Sequence, residues 1–181
     1  GQNGFTGVNK LIVQDALESG TLEIHEGLKT VSQASEPIYK SLAYTFSPPL
    51  PKISGDFDGA REFLERMNLS YGIKFTDLED EEKDLLKEAL VSINPDIFGD
   101  CDVVPKEVPL LRDLEEYSYI LDACGKNKKP GLGLSIAIGE REQALDAALK
   151  LQRQYRDQIV KGLEWIKKQG AEQLNSIQYL Y

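Results

Sequence analysis

The chain has 181 residues, of which 41% are hydrophobic, and it carries two cysteines, one histidine and a net charge of −9. That content is enough for a buried core in one domain or two small ones. No apolar run approaches the roughly 18–20 residues that span a bilayer and no signal-peptide pattern is seen, so a soluble cytoplasmic protein without membrane contact is expected.

Thr6 is the expected N-cap of a helix over residues 7–18, where Val8, Leu11, Ile12, Val13 and Ala16 recur at helical spacing and Gly20 closes the element. Leu22 and Ile24 alternate with Thr21, Glu23 and His25, which predicts a short strand with one buried face and His25 on the polar side. Pro37 opens a helix through Ile38, Leu42, Ala43 and Phe46, and the cluster Pro48, Pro49, Pro51 reads as a linker-like break. Asp56 and Asp58 mark the start of a helix carrying Ala60, Phe63, Leu64 and Met67. After the apolar interval 71–75, Thr76 and Glu79 have capping-box spacing ahead of a helix with Leu85, Leu86, Ala89, Leu90 and Ile93, which ends near Asn94-Pro95. The acids between Asp77 and Glu82 are expected at a helix start, where the dipole favours them, rather than as metal ligands.

Val103 to Val108, with Pro105 inside and Pro109 after, reads as extended and edge-like. Leu110, Leu114, Tyr117, Leu121 and Cys124 repeat at the spacing of a helix packed on another helix. Gly125 is the expected stop, and a loop with Lys126, Lys128 and Lys129 leads to Pro130 at the start of a second apolar segment. Leu132, Leu134, Ile136 and Ile138 suit a buried helix or a strand equally. From Glu140 to about Lys168 runs the longest helical pattern, with Leu145, Leu149, Gln152, Tyr155, Ile159, Leu163 and Ile166 on one face, and Gly170 ends it. Leu174, Ile177, Tyr179, Leu180 and Tyr181 begin something β-like.

The stretch Tyr119 to Ser135, with Gly4–Gly27, Glu36–Asp56 and Pro105–Gln158 in the same order and spacing, resembles the archaeal RecJ-like branch of the DHH phosphoesterase superfamily, which contains single-strand exonucleases. Where the resembled motif has asparagine and arginine handling substrate phosphates, this chain has Asp122 and Lys126. The resemblance implies a mainly α fold with a few short strands, built as a helical insert plus a long connector helix, and makes the segment after Pro130 helical. It implies residues 1–48 as the C-terminal end of a DHH domain and 49–108 as an inserted, partner-binding helical region. Residues 109–181 then hold the lysine loop and the connector leading to a DHH-associated domain, with more chain expected at both ends. The aspartate and Asp-His-His motifs that hold manganese or magnesium in the parent enzyme lie upstream of such a segment. No cofactor and no catalytic or metal residue is therefore expected here.

Two candidate surfaces follow. Residues 1–125 carry 11 basic and 24 acidic side chains, whereas residues 126–168 carry 10 and 5. Only the back half therefore suits phosphates. There the loop, through Gly125, Lys126, Lys128 and Lys129, and the connector, through Arg141, Lys150, Arg153 and Arg156, could track single-stranded DNA or RNA, although a merely solvated lysine loop fits the residues as well. The acidic insert suits a protein partner, which the resemblance names as a subunit of the GINS replication complex. Phe75, Ile97, Phe98, Val103 and Val104 are its candidate contacts. A free edge at residues 103–108 could accept a partner strand, or the edge is covered within the chain. One histidine on a polar face supports no nucleophilic triad, and Cys101 and Cys124 are expected to act as small hydrophobes.

Overall fold

A computed structural model describes residues 6–170 and the backbone of 172–174 and 177–179. Helix α1 (Val8–Glu18) leads into strand β1 (Glu23–Leu28), followed by α2 (Ile38–Tyr44), α3 (Phe57–Arg66) and α4 (Asp80–Ile93). Strand β2 (Phe98–Val103) then returns antiparallel to β1, with Glu23 opposite Val103 and Leu28 opposite Phe98. Helices α5 (Leu114–Lys126), α6 (Pro130–Ala137) and α7 (Gln143–Gln169) complete a mainly helical chain, and β3 (Glu172–Leu174) pairs with β4 (Ile177–Tyr179) as a second ribbon. Leu180 and Tyr181 lie outside the described residues.

Two apolar cores form, with a third, small cluster of Val31, Tyr44 and Val160. The first joins α2, α3 and α4 through Ile38, Leu42, Leu64, Leu86 and Leu90, all essentially removed from water. At about 1.5–3 kcal/mol per large apolar side chain, this is the main store of stability. The proline run is not a linker between cores, because Leu50 and Ile53 belong to this core and it continues across residues 48 and 49. Backbone bonds close the turn, with Gly55 N–H donating to the Ala43 carbonyl at 2.8 Å. Gly55 sits at φ +69°, and a Cβ there would lie 2.6 Å from Leu163 of α7, so glycine is required where the turn meets that helix. The second core is smaller and gathers Leu111 from the turn before α5 with Ile120, Cys124, Ile136, Leu145 and Ala148 from α5, α6 and α7. Cys124 is thus a buried hydrophobe, and burial raises its thiol pKa.

Several local expectations are corrected. Gly7, at φ +60°, and not Thr6, takes the N-cap position of α1. The stripe of α1 faces water, with Val8 70% and Ile12 61% exposed. Leu22 is buried ahead of β1 while Ile24, inside it, is exposed, so the strand buries no alternating face. Phe46 lies beyond the end of α2. The α4 capping box is formed by Glu79 and Glu82, three residues later than expected, with Glu79 N–H donating to Glu82 Oε2 at 3.0 Å. Asp56 does cap α3, accepting from Gly59 N–H at 2.9 Å. Extended pairing falls on Phe98–Val103, so of the expected edge only Val103 is strand and a turn follows over 105–107.

Gly125 does not stop α5. The helix continues to Lys126, and Lys128 adopts the left-handed turn at φ +58°. Lys129 N–H reaches back to the Cys124 carbonyl at 2.8 Å and Lys128 N–H to that of Gly125 at 3.0 Å, the paired bonds of a Schellman cap. Asn127 adds a side-chain bond to the Ala123 carbonyl at 2.8 Å. On α7 the buried residues Ala144, Ala148, Gln152, Arg156 and Val160 recur every four positions, so the line of contact drifts around the helix. The predicted stripe, averaging 3.5, holds through Leu145 and Gln152. Beyond that the buried line moves one position on, to Arg156 and Val160, leaving Tyr155, Ile159, Leu163 and Ile166 half-buried, because the partner changes from the second core to Val31 and Tyr44.

Candidate functional site

A groove of about 390 Å³ opens between the β1–β2 ribbon, the turn at Phe75, the exposed side of α4 and the start of α5. Phe75, Phe98 and Val103, chosen from sequence as partner contacts, line it together with Leu28 and Leu110. Lys87 of α4 holds its Nζ 3.8 Å from the centre of the Phe98 ring, and Lys83, one turn earlier, faces the same hollow. Arg112 lines it as well.

The other two contacts are placed differently. Ile97 is fully buried in the first core, so it supports the groove from beneath and does not meet a partner. Val104 is turned into the chain, its N–H donating to the Arg112 carbonyl at 2.8 Å, while Val103 bridges Asp113. This end of the edge is covered internally, which closes strand addition at 103 and 104.

Beside the groove lies a hollow of about 400 Å³ lined by Asp96, Asp100, Asp102, Asp113 and Glu115 with Lys29. Asp113 caps α5, accepting from Glu116 N–H at 2.9 Å. Burial raises the pKa of its carboxyl, and the charges of Glu116 and Asp102 add to that, outweighing the capping bonds. Among the described residues, no group of three or more His, Cys, Asp or Glu side chains is arranged to hold a metal ion. His25 is exposed and bonded to Glu23 at 2.7 Å.

The cations proposed for nucleic acid divide into two groups. Lys128 and Lys129 are exposed in the loop between α5 and α6. Lys126 is exposed too, but pairs with Asp122 at 2.6 Å, which raises its pKa, and leans over the Tyr155 ring at 5.5 Å. Gly125 is part of α5. Arg141 forks onto Glu107 at 2.6 and 3.0 Å and holds that carboxylate below its usual pKa. Arg153 is half exposed and bonds the buried Glu36.

Arg156 is turned away from solvent. It is 7% exposed, bonds Ser32 Oγ and both carboxylate oxygens of Glu116, and lies 5.7 and 5.5 Å from the Tyr44 and Tyr119 ring centres. Glu116 also accepts from Ser32 N–H at 2.9 Å and from Gln152 at 3.0 Å. Tyr44 donates to Asp157 at 2.5 Å, while Tyr119 donates to Glu115 at 2.9 Å. Burial and those carboxylates raise both phenols, that of Tyr119 to about 12. This seam ties α5 and α7 to residues 31–44, and no sequence signal marked Glu116, Glu36 or Ser32 as its members. The four-residue spacing of Lys83 and Lys87 could have placed both lysines on one helix face; Arg112 carried no signal.

Residues 32–95 match the family model of the DHH-CID domain. The matched stretch takes in the first core apart from Leu28 and Ile97, together with Phe75 and the α4 wall of the groove, and it supports the DHH superfamily for this chain. The lysine loop lies outside it. No curated protein matches the chain.

Proposed function

We propose that this chain is a non-catalytic segment of a RecJ-like, single-strand-specific exonuclease of DNA replication and repair, and that it docks a subunit of the GINS complex in the cytoplasm. The metal ions and the hydrolysis belong to another part of such an enzyme. The observation that carries the docking reading is the groove, where three of the five expected contacts, Phe75, Phe98 and Val103, line one concave and largely apolar surface. Concave apolar surfaces with a few polar groups at the rim are the usual form of a recognition site. The DHH-CID match across the α4 wall supports the same placement.

Calorimetry of the purified chain with a GINS subunit tests it, with a single-stranded oligonucleotide titrated in parallel in the presence of manganese. Saturable binding of the subunit is expected, with no cleavage and no comparable binding of the oligonucleotide. Oligonucleotide binding that falls steeply with salt, without subunit binding, would overturn the docking role and move the function to Lys126, Lys128 and Lys129.

A further inference from the structure

The groove carries charge that its own chain does not neutralise. The segment around it is strongly acidic, with 24 acidic and 11 basic side chains before residue 126. Even so, two of those few cations line the same hollow, Lys87 from α4 and Arg112 from the turn after β2. Neither has a carboxylate within 4 Å among the described residues; Arg112 makes only a long bond, 3.4 Å, to the Glu107 carbonyl. Lys87 instead rests on the face of Phe98. Of the acids that also line the groove, Glu116 is paired with Arg156 and Asp113 caps α5, while Asp84 makes no ion pair among the described residues. The same lining supplies apolar surface from Phe98, Val103 and Leu110.

We infer that the groove takes a peptide segment of a protein partner in which a large apolar side chain is flanked by carboxylates. The apolar side chain occupies the hollow against Phe98 and Val103, and the carboxylates meet Lys87 and Arg112. Complementary rim charge of this kind sets which segment is accepted more than how tightly it is held. This rests on the groove being the docking face proposed above.

The test is selection of a random 12-residue phage-displayed peptide library on the purified chain, with counter-selection on Lys87→Glu. Peptides pairing Phe, Leu or Trp with neighbouring Asp or Glu are expected, and Lys87→Glu and Arg112→Glu should each weaken a selected peptide about tenfold. Lys87→Met keeps the stem over Phe98 and should lose part of that. Lys87 is half-buried and Arg112 exposed, and matching thermal melts establish that the variants fold. Failure to enrich any sequence, enrichment without carboxylates, or indifference to both charge reversals would overturn the inference. Competition separates it from the partner assignment. Selected peptides that bind a chain to which the GINS subunit does not bind uphold the groove's chemistry and remove that partner, whereas mutual displacement supports both.

Discussion

The first core and the seam under α7 are held by different forces. Between Leu28 and Ile97, stability comes from apolar area removed from water, which is large and indifferent to direction. Between α7 and residues 31–44 the apolar share is small, Val31, Tyr44 and Val160, and the contact consists of Arg156, Glu116, Gln152 and Ser32 bonded to one another. Such a network contributes little net energy but admits few geometries. The core gives the chain most of its stability; the seam decides how α7 lies on it.

The sharpest way to break that contrast is Arg156→Ala. It leaves Glu116 buried without its ionic partner, and a loss of about 3–5 kcal/mol is expected in denaturant unfolding. A loss below about 1 kcal/mol would mean that the seam is an ordinary surface contact. A smaller effect is expected at Asp113. Its raised pKa means that the folded state holds the proton more tightly than the unfolded one. The group therefore lowers stability at neutral pH, and that loss is relieved as pH falls through the carboxylate range. Asp113→Asn keeps a capping side chain. It should melt higher than the parent at pH 7, with the difference closing as pH falls and narrowing in salt; Asp113→Ala should cost about 1 kcal/mol through the lost cap. The smallest expected change is a gain. Lys128→Gly relieves a left-handed lysine and should add about 0.5–1 kcal/mol to stability, read as a rise in melting temperature.

Helix positions were legible in the sequence because apolar residues at helical spacing, Pro37 and Pro130 at starts and Asp56 as a cap act through local chemistry. The groove was partly legible: Phe75, Phe98 and Val103 are apolar residues in an acidic stretch. The rest depended on partners distant in sequence. Nothing near Arg156 reveals Glu116, 40 residues earlier, or Ser32, 124 residues earlier, so an arginine on a long helix read as a surface cation. Ile97 and Phe98 are neighbours in sequence, yet one sits in the core and the other at the groove, a distinction set by pairing with β1. At the end of α5, glycine is the usual left-handed residue, but the Schellman bonds settled three residues further on, at Lys128.

The drift of the α7 contact line has a consequence for tolerance to length change. At 3.6 residues per turn, buried positions four apart from Ala144 to Val160 sweep about 160° around the axis, so the helix works as an indexed shaft engaging different partners at its two ends. One residue inserted between Ala148 and Gln152 would advance everything beyond it by about 100° and turn Arg156 out of mesh. Seven residues would restore the angle to within about 20° yet carry Lys167 roughly 10 Å past Asp56, its present partner at 2.9 Å. Phase and reach are fixed together, so in this helix an insertion is a harsher change than most substitutions.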